Sequence, residues 1–346
     1  MLGRSLAALG MRSGFALLIG IVNPSLLEAQ LQPRPTREPI IRSLDPRFER
    51  LVPRDAVLEK IADSHGWVEG PVWVPEGSYL LFSDVVKNAI YRWKEGEGES
   101  VYLRPSGYTG TGPFTGPEPG SNGLALDGSG RLVFAQHGDR RISRREPGGR
   151  ITVLVDRYQG QRLNSPNDLV FHSNGDLYFT DPPFGLPQAF DDPDKELPFQ
   201  GVYRLGRDGS LTLLTTELSA PNGIAFSPDE QTLYVSNADE KRLVWMAYPL
   251  MADGTLGPGR VLYDGTEATR GRRGTADGMK VDTKGNIFGA GPGGVYVFSP
   301  EGMLLGWLDF GGNVGNVAWG EDGSTLFIAA NAAVYRVRLA TRGAGF

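Results

Sequence analysis

The most complete copy of a repeated pattern in this chain reads Asn222-Gly-Ile-Ala-Phe-Ser-Pro-Asp-Glu-Gln-Thr-Leu-Tyr-Val-Ser-Asn237. An amide side chain leads into a short apolar run, and a turn rich in Pro and Asp separates this run from a second one. Short apolar runs bounded by Gly, Pro, Asn and Asp are typical of strands joined by hairpins. The stretch therefore predicts two antiparallel strands.

The same pattern occurs six times along the chain. The copies begin at Glu69, Asn122, Asn167, Asn222, Asp277 and Asn316. They start 39 to 55 residues apart, and further strand-like runs follow within each unit. Repeats of roughly 40 to 50 residues built from short strands are typical of β-propellers. We therefore predict an all-β, six-bladed β-propeller with about four strands in each blade.

The last unit is short, because only 30 residues follow Asn316. A ring of blades with an open strand edge would invite aggregation, so the missing strand must come from elsewhere. Residues 56–62 have the composition of a strand, and we expect them to complete the sixth blade from the other end of the chain.

The N-terminus has a different composition from the repeats. Arg4 and Arg12 precede an apolar run over residues 15–22, and Ala29 ends the segment. This pattern predicts a signal peptide over residues 1–29, a linker over 30–53 and the propeller domain over 54–346. The protein would then be periplasmic or secreted, without stable membrane insertion after processing, since the run is too short to span a bilayer. A membrane-tethered or unstructured N-terminus is the alternative.

Charge and composition limit the partners and the chemistry. The net charge of the 346-residue chain is −5, without blocks of one sign, which argues against nucleic acid as a partner. The chain has no Cys, so disulfides and thiolate chemistry are excluded. Nothing in the sequence indicates the oligomeric state.

The first residues of the six copies are all carboxylates or carboxamides. In a propeller they would lie together at one mouth of the central channel. Entry turns built from Asn-Gly are an alternative explanation for Asn122 and Asn222, but Glu69 is no turn former. Carboxylate and amide oxygens without His or Cys favour Ca²⁺, which accepts six to eight oxygen ligands, while Zn²⁺, Mn²⁺ and Mg²⁺ stay possible. Glu69 and Asp277 carry the charge that a divalent cation needs.

A second set of residues ends the second strand of each copy, where the hairpin returns to the same face. These residues are Asp84, His137, Asp181, Asn237, Gly291 and Asn331. We expect them to surround the metal, with Asn122, His137 and Asp181 orienting the substrate. A purely structural role is the alternative for His137. The long segment over residues 182–199 is expected to overhang the mouth as a lid or a pocket wall. The sequence assigns no role to the loop over residues 107–120.

Five motifs carry a resemblance to a known family. They are Glu69-Gly-Pro-Val-Trp73, Arg162-Leu-Asn-Ser-Pro-Asn-Asp-Leu169, Phe179-Thr-Asp-Pro-Pro-Phe-Gly185, Pro221-Asn-Gly-Ile-Ala-Phe-Ser-Pro-Asp229 and Ala276-Asp-Gly-Met279. In this order and spacing, residues 54–340 resemble the SMP-30/gluconolactonase/LRE-like family, most closely its bacterial gluconolactonases. The family is a six-bladed propeller that holds a catalytic divalent metal, usually Ca²⁺.

The resemblance implies a set of ligands and an activity. Glu69, Asn167, Asn222 and Asp277 would bind the metal, although in some members the residue matching Asn167 contacts substrate more than metal. The enzyme would be a gluconolactonase-like carboxylic ester hydrolase that opens sugar lactones such as glucono-1,5-lactone to the aldonic acid. The metal would act as a Lewis acid and Asp277 as the general base. The family's substrate-holding Arg near the second blade has no secure match here, and Arg140 and Arg141 are the nearest candidates.

Two other functions remain open at this point. The same calcium site would also suit a phosphotriester (organophosphate) hydrolase, or a non-catalytic calcium- or sugar-binding propeller. The chain lacks a Gly-x-Ser-x-Gly motif as well as Cys, which argues against a covalent acyl-enzyme.

Overall fold

A computed structural model of the chain describes residues 38–345, and the regular secondary structure of these residues is almost entirely β-strand. The strands near the N-terminus are β1 (Ile40–Ser43) and β2 (Glu59–Ala62). Blade 1 contains β3 (Val68–Val74), β4 (Tyr79–Asp84), β5 (Ala89–Lys94) and β6 (Gly98–Leu103), and blade 2 contains β7 (Ser121–Leu126), β8 (Leu132–Gln136), β9 (Arg141–Arg145) and β10 (Ile151–Val155). A small hairpin follows, made of β11 (Arg157–Tyr158) and β12 (Gln161–Arg162).

The second half of the chain repeats the same unit. Blade 3 contains β13 (Leu169–Phe171), β14 (Leu177–Asp181), β15 (Gly201–Leu205) and β16 (Leu211–Thr215), and blade 4 contains β17 (Pro221–Phe226), β18 (Thr232–Asp239), β19 (Arg242–Pro249) and β20 (Arg260–Asp264). Blade 5 contains β21 (Met279–Val281), β22 (Ile287–Gly291), β23 (Gly294–Phe298) and β24 (Leu304–Asp309), and blade 6 contains β25 (Val314–Gly320), β26 (Thr325–Ala330) and β27 (Ala333–Arg338). The prediction of a six-bladed β-propeller is confirmed.

The ring closes through a strand from the other end of the chain, as predicted. Strand β2 pairs antiparallel with β27, and Glu59 lies opposite Arg336. It thereby supplies the fourth strand of blade 6 and covers the edge that β27 would otherwise expose.

The segment before β2 differs from the linker expected over residues 30–53. Strand β1 adds to the outer edge of blade 5, where Ile40 pairs with Asp309. A short helix, α1 (Pro46–Glu49), follows, and its Phe48 is fully buried in the core between blades 5 and 6. The Pro and Arg content of this segment suggests a linker. The segment is nevertheless ordered, because β1 pairs with a free sheet edge and Phe48 fills an apolar groove. The expected signal peptide lies outside the described residues. No helix within residues 38–345 is long and apolar enough to cross a membrane.

The core is divided among the junctions between blades. Each of six apolar clusters within residues 38–345 joins two neighbouring blades, as in the contact of Trp245 of blade 4 with Phe298 of blade 5. The first strands of neighbouring blades also contact one another, so they form the innermost layer around the axis. This packing fixes the positions of the residues that begin those strands.

Candidate functional site

Hydrogen bonds between blades fix the residues that begin the repeats. In three blades a hydroxyl next to the end of the second strand donates to the main-chain carbonyl of the next blade's first repeat residue. These bonds run from Ser83 to Asn122 (2.8 Å), from Thr180 to Asn222 (2.6 Å) and from Ser236 to Asp277 (2.9 Å). The main chain of each acceptor residue is therefore held by the preceding blade.

The glycines after these residues serve blade packing rather than turns. A Cβ on Gly223 would lie 2.3 Å from the carbonyl oxygen of Asp277, and its φ is not positive. Gly123, after Asn122, shares both features, with a Cβ contact of 2.6 Å to the carbonyl oxygen of Asn167. A tight Asn-Gly turn would require positive φ. The entry-turn explanation of these pairs is thus not supported, and Gly is required because neighbouring backbones meet there.

Two of the first residues are carboxylates, of which Glu69 is buried and Asp277 partly buried. Glu69 is 2% exposed and accepts hydrogen bonds from the Trp67 indole N–H (3.0 Å) and from the backbone N–H of Gly70 (3.2 Å). Asp277 accepts one from the backbone N–H of Gly278 (3.0 Å). Burial, followed by repulsion from Glu69, raises the pKa of Asp277 well above its usual value, and burial raises the pKa of Glu69 as well. Neither carboxylate has a cationic partner within residues 38–345.

The amide side chains of the same set fall into two kinds. The Oδ1 atoms of Asn122 and Asn222 are buried without any hydrogen-bond donor, whereas Oδ1 of Asn316 accepts from the backbone N–H of Val317 at 2.9 Å. A buried acceptor without a partner costs free energy, which a cation would recover. Two anionic side chains beside unpartnered amide oxygens fit the hard-oxygen ligand set expected for Ca²⁺.

Carboxylates and imidazoles alone do not build a metal site here. Within residues 38–345, no three His, Asp or Glu side chains are arranged to hold an ion by themselves. A site at this mouth must therefore combine the carboxylates with amide oxygens. This agrees with the composition expected from the sequence, although the four individual ligands stay a prediction.

Two acidic residues near the mouth were missed by the sequence analysis. Asp168 is 2% exposed and raises the pKa of both Glu69 and Asp277 electrostatically. It stands where four other copies carry Gly, so this departure from the repeat was an available signal. Glu118 adds to the same electrostatic effect, but it lies in an irregular loop with no repeat to mark it.

His137 is fully buried and lies between the side chains of Glu118 and Asn167. Its Nδ1 is 2.9 Å from Oε2 of Glu118, and its Nε2 is 3.4 Å from Nδ2 of Asn167. The Nδ1 contact has poor hydrogen-bond angles, so it is chiefly electrostatic. The carboxylate nevertheless favours a proton on Nδ1, which leaves Nε2 as the acceptor for the Asn167 amide. The imidazole thus links the loop over residues 107–120 to the first residue of blade 3.

Most of the second set serves a different purpose from the one expected. Four of its side chains bind the backbone N–H of the segment that enters the same blade. These bonds join Asp84 to Gly66 (2.9 Å), Asp181 to Asn164 (2.8 Å), Asn237 to Ala220 (2.8 Å) and Asn331 to Asn313 (3.1 Å). These hydrogen bonds tie the entering segment to its own blade. The four side chains are therefore engaged within the chain and do not surround the residues that begin the six repeats (the first set) with free polar groups.

Asp181 makes this hydrogen bond with one carboxyl oxygen, Oδ2, and leaves the other without a partner among the described residues. The side chain is fully buried, burial raises its pKa to about 7, and its Oδ1 has no hydrogen-bond partner. Because the side chain is fully buried, a substrate could contact it only if neighbouring residues moved. Its role as a substrate ligand therefore stays a prediction.

Arg140 and Arg141 are both engaged in local structure. Arg140 is buried and donates to the carbonyls of Leu163 (2.8 Å) and Asp194 (2.9 Å). Arg141 donates to the side chain of Gln136 at 2.6 Å and pairs with Asp139 at 2.7 Å. Arg140 therefore anchors the segment over residues 182–199, although its buried Nη2 has no hydrogen-bond partner within the described part of the chain. Arg141 is engaged by Gln136 and Asp139.

The segment over residues 182–199 begins beside the mouth. Ser165 donates from its hydroxyl to the carbonyl of Pro182 (2.7 Å) and accepts from the N–H of Gly185 (2.8 Å). A Cβ on Gly185 would lie 2.6 Å from the Cβ of His137, so the turn packs directly on the imidazole. The start of this segment is thus a wall next to His137.

A family model described as SMP-30/Gluconolactonase/LRE-like region matches residues 67–332. The chain belongs to this family. It is 42% identical to a gluconolactonase of Zymomonas mobilis over 88% of this chain and 87% of that protein. A solved gluconolactonase structure from Xanthomonas campestris shares 34% identity and superimposes with a TM-score of 0.75, covering 88% of this chain and 98% of that one. The lactonase drp35 of Staphylococcus epidermidis is 28% identical, over 72% of this chain and 71% of its own length.

Proposed function

We propose that this family member hydrolyses sugar lactones, such as glucono-1,5-lactone, to the aldonic acid, with Ca²⁺ as its cofactor. The observation that supports this proposal is a pair of carboxylates without Lys or Arg partners in the described chain, the buried Glu69 and the partly buried Asp277, together with two unpartnered amide oxygens. All four lie at or next to the starts of first strands that contact one another. The lactonase class itself is supported by relatives named gluconolactonases that match nearly the whole propeller.

Glu69, Asn167, Asn222 and Asp277 would hold the cation. A bound divalent cation supplies Lewis-acid polarisation of a carbonyl and charge stabilisation for an oxyanion. The free Oδ1 of Asn222 and the two carboxylates are the oxygens available for it. The amide of Asn167 has its nitrogen turned to His137, which leaves its oxygen for the ligand set or for substrate.

The chain's own groups would carry the remaining steps. Asp277 would take a proton from the water that attacks the lactone carbonyl carbon, and that proton would later serve the ring oxygen that leaves. Asn122 would accept a hydrogen bond from a sugar hydroxyl through its unpartnered Oδ1. His137 and Asp181 are the other proposed hydroxyl ligands, and His137 is already fixed against Glu118.

A pH-stat assay after metal depletion tests the proposal. We expect the depleted protein to lose hydrolysis of glucono-1,5-lactone, and added Ca²⁺ to restore it, while Mg²⁺, Mn²⁺ and Zn²⁺ rank the cations. A phosphotriester is assayed in parallel, because its hydrolysis in place of the lactone would favour the phosphotriesterase alternative. Full lactonase activity in excess chelator would contradict the metal mechanism, and no activity on either substrate would favour a binding protein.

We also propose that the protein is exported to the periplasm or beyond. The support is the charged, apolar and small-residue pattern of residues 1–29. N-terminal sequencing of the mature protein would check it, since a protein that retains Met1 would contradict cleavage.

A further inference from the structure

The loop over residues 107–120 has a rigid base. The side chain of Asn88 accepts from the backbone N–H of Gly107 (2.7 Å) and donates to the carbonyl of Tyr108 (2.8 Å). The N–H of Tyr108 in turn donates to the carbonyl of Pro119 at 2.6 Å, so the two ends of the loop are tied together. Residue 118 directly precedes Pro119, so its backbone lies next to this tie.

This base brings Glu118 to the mouth. Its Oε2 lies 2.9 Å from Nδ1 of the buried His137. Its charge is also near enough to raise the pKa of Glu69 and of Asp277. Glu118 therefore lies beside the proposed ligands, although it belongs to a loop and not to the repeats.

The carboxylate of Glu118 contacts His137 through Oε2 but makes no hydrogen bond within the described residues. The side chain is 28% exposed, and its second oxygen, Oε1, forms no hydrogen bond with any residue of the described chain. A further negative charge beside Glu69, Asp168 and Asp277 is unfavourable for folding, because like charges repel. An accessible acceptor that is fixed in such a place suits a ligand that brings hydroxyl donors.

We propose that Glu118 is a specificity residue, whose Oε1 accepts a hydrogen bond from a ring hydroxyl of the lactone while Oε2 stays in electrostatic contact with His137. This inference rests on the proposed function and extends it, since it makes Glu118, next to the tied end of the loop, the residue that selects polyhydroxylated lactones over plain alkyl lactones. A site built to bond a substrate hydroxyl discriminates strongly against the analogue that lacks it, because the polar group is then left unpaired.

The test compares two substrates with the same six-membered ring, glucono-1,5-lactone and δ-valerolactone, which has no hydroxyls. Glu118→Gln keeps a carbonyl oxygen for His137 and turns a donor toward the mouth in place of the acceptor. We expect it to lower the ratio of kcat/KM for the sugar lactone over valerolactone by about 10- to 100-fold. Thr111→Ala, an exposed change in the same loop, is the matched control and should leave the ratio unchanged.

A second measurement does not depend on hydrolysis. Calorimetric titration of the Ca²⁺-loaded protein with D-glucono-1,5-lactam, which keeps the hydroxyls but resists hydrolysis, should show weaker binding to Glu118→Gln by about tenfold or more. If the wild type hydrolyses no lactone, the proposed function fails, while the lactam titration still tests Glu118. An equal loss of kcat/KM on both lactones, or unchanged lactam affinity, would overturn the specificity role.

Discussion

Two sets of polar residues lie at equivalent positions of the six repeats, and they behave differently. Four members of the set that ends the second strands accept from main-chain donors, as Asp84 does from Gly66 N–H and Asn237 from Ala220 N–H, and only Asp181 among these four keeps an unpartnered oxygen. The set that begins the first strands includes Asn122 and Asn222, whose oxygens have no donor. Both sets recur at equivalent positions of the repeat. Position in the repeat alone therefore does not tell which residues hold the fold together and which bind a ligand.

The difference between the sets is one of hydrogen-bond satisfaction. A buried polar group with a hydrogen-bond partner stabilises the fold. One without a partner costs free energy, and a bound ligand or ion is one reason for such a group to be retained. Asn316 illustrates the rule within the first set, because its oxygen is taken by Val317 N–H. We therefore assign the first set, except for Asn316, to ligand binding and most of the second set to latching the blades.

The largest expected effect comes from removing a charge in the first set. Asp277→Asn keeps an acceptor for the N–H of Gly278 but removes the proposed base and ligand. We expect kcat/KM on glucono-1,5-lactone to fall by about 10³-fold or more. At a pH above the raised pKa of Asp277, the melting temperature of the metal-free protein should rise by about 2 °C, because the variant removes a charge that burial and repulsion from Glu69 disfavour.

The matched control for this change is Asn316→Ala at the equivalent position of blade 6. It should leave kcat/KM within about threefold of the wild type, since its oxygen is already bonded within the chain. If the two variants lose activity equally, hydrogen-bond satisfaction does not identify the site residues.

A change in the second set should affect stability instead. Asp84→Ala removes the acceptor for the N–H of Gly66 and for that of Lys87, at 2.9 Å each. We expect the free energy of unfolding to fall by about 1–3 kcal/mol, since the change leaves two partly buried donors unpaired and removes the buried partner of His65. Urea denaturation measures this loss, and kcat of the folded fraction should stay close to that of the wild type. A stable variant with a greatly reduced kcat would place Asp84 in the active site.

The fold was predictable from the sequence because its signals are local. Turn residues, apolar runs and their period lie within each copy, and even the closing strand β2 could be inferred from the incomplete last copy. Strand β1 could not, because Ile40 pairs with a residue from the far end of the chain, Asp309. The open sheet edge that accepts it exists only in the folded ring.

The site was predictable only in outline, for a related reason. The positions of the two polar sets follow from the repeat, but the donors that satisfy one set come from segments 17 or 18 residues upstream, such as Asn164 for Asp181. No pattern in the sequence marks those donors. Glu118 was hidden for the same reason, since only the folded loop brings it to His137.

The smallest expected effect concerns the pH dependence of the stability that His65 gives to blade 1 through its contacts with Asp84 and Glu99. His65 lies with Nδ1 at 3.1 Å from Asp84 and Nε2 at 2.9 Å from Glu99, beside Lys87. Burial lowers its pKa, but the bonds to the two carboxylates outweigh burial and raise the pKa above its ordinary value. Protonated His65 therefore stabilises the fold fully below pH about 6.5, the unfolded pKa, and this contribution is lost as pH rises through the folded value.

The matched variant is His65→Gln, which keeps a donor without the charge. The melting temperature of the wild type should exceed that of the variant by about 1–3 °C more at pH 6 than at pH 9, as scanning calorimetry measures. Activity per folded molecule should not differ between them, because Asp84 and His65 latch blade 1 and do not face the substrate. A difference in melting temperature that is constant with pH would show that His65 is neutral in the fold, and that the latch works through hydrogen bonds alone.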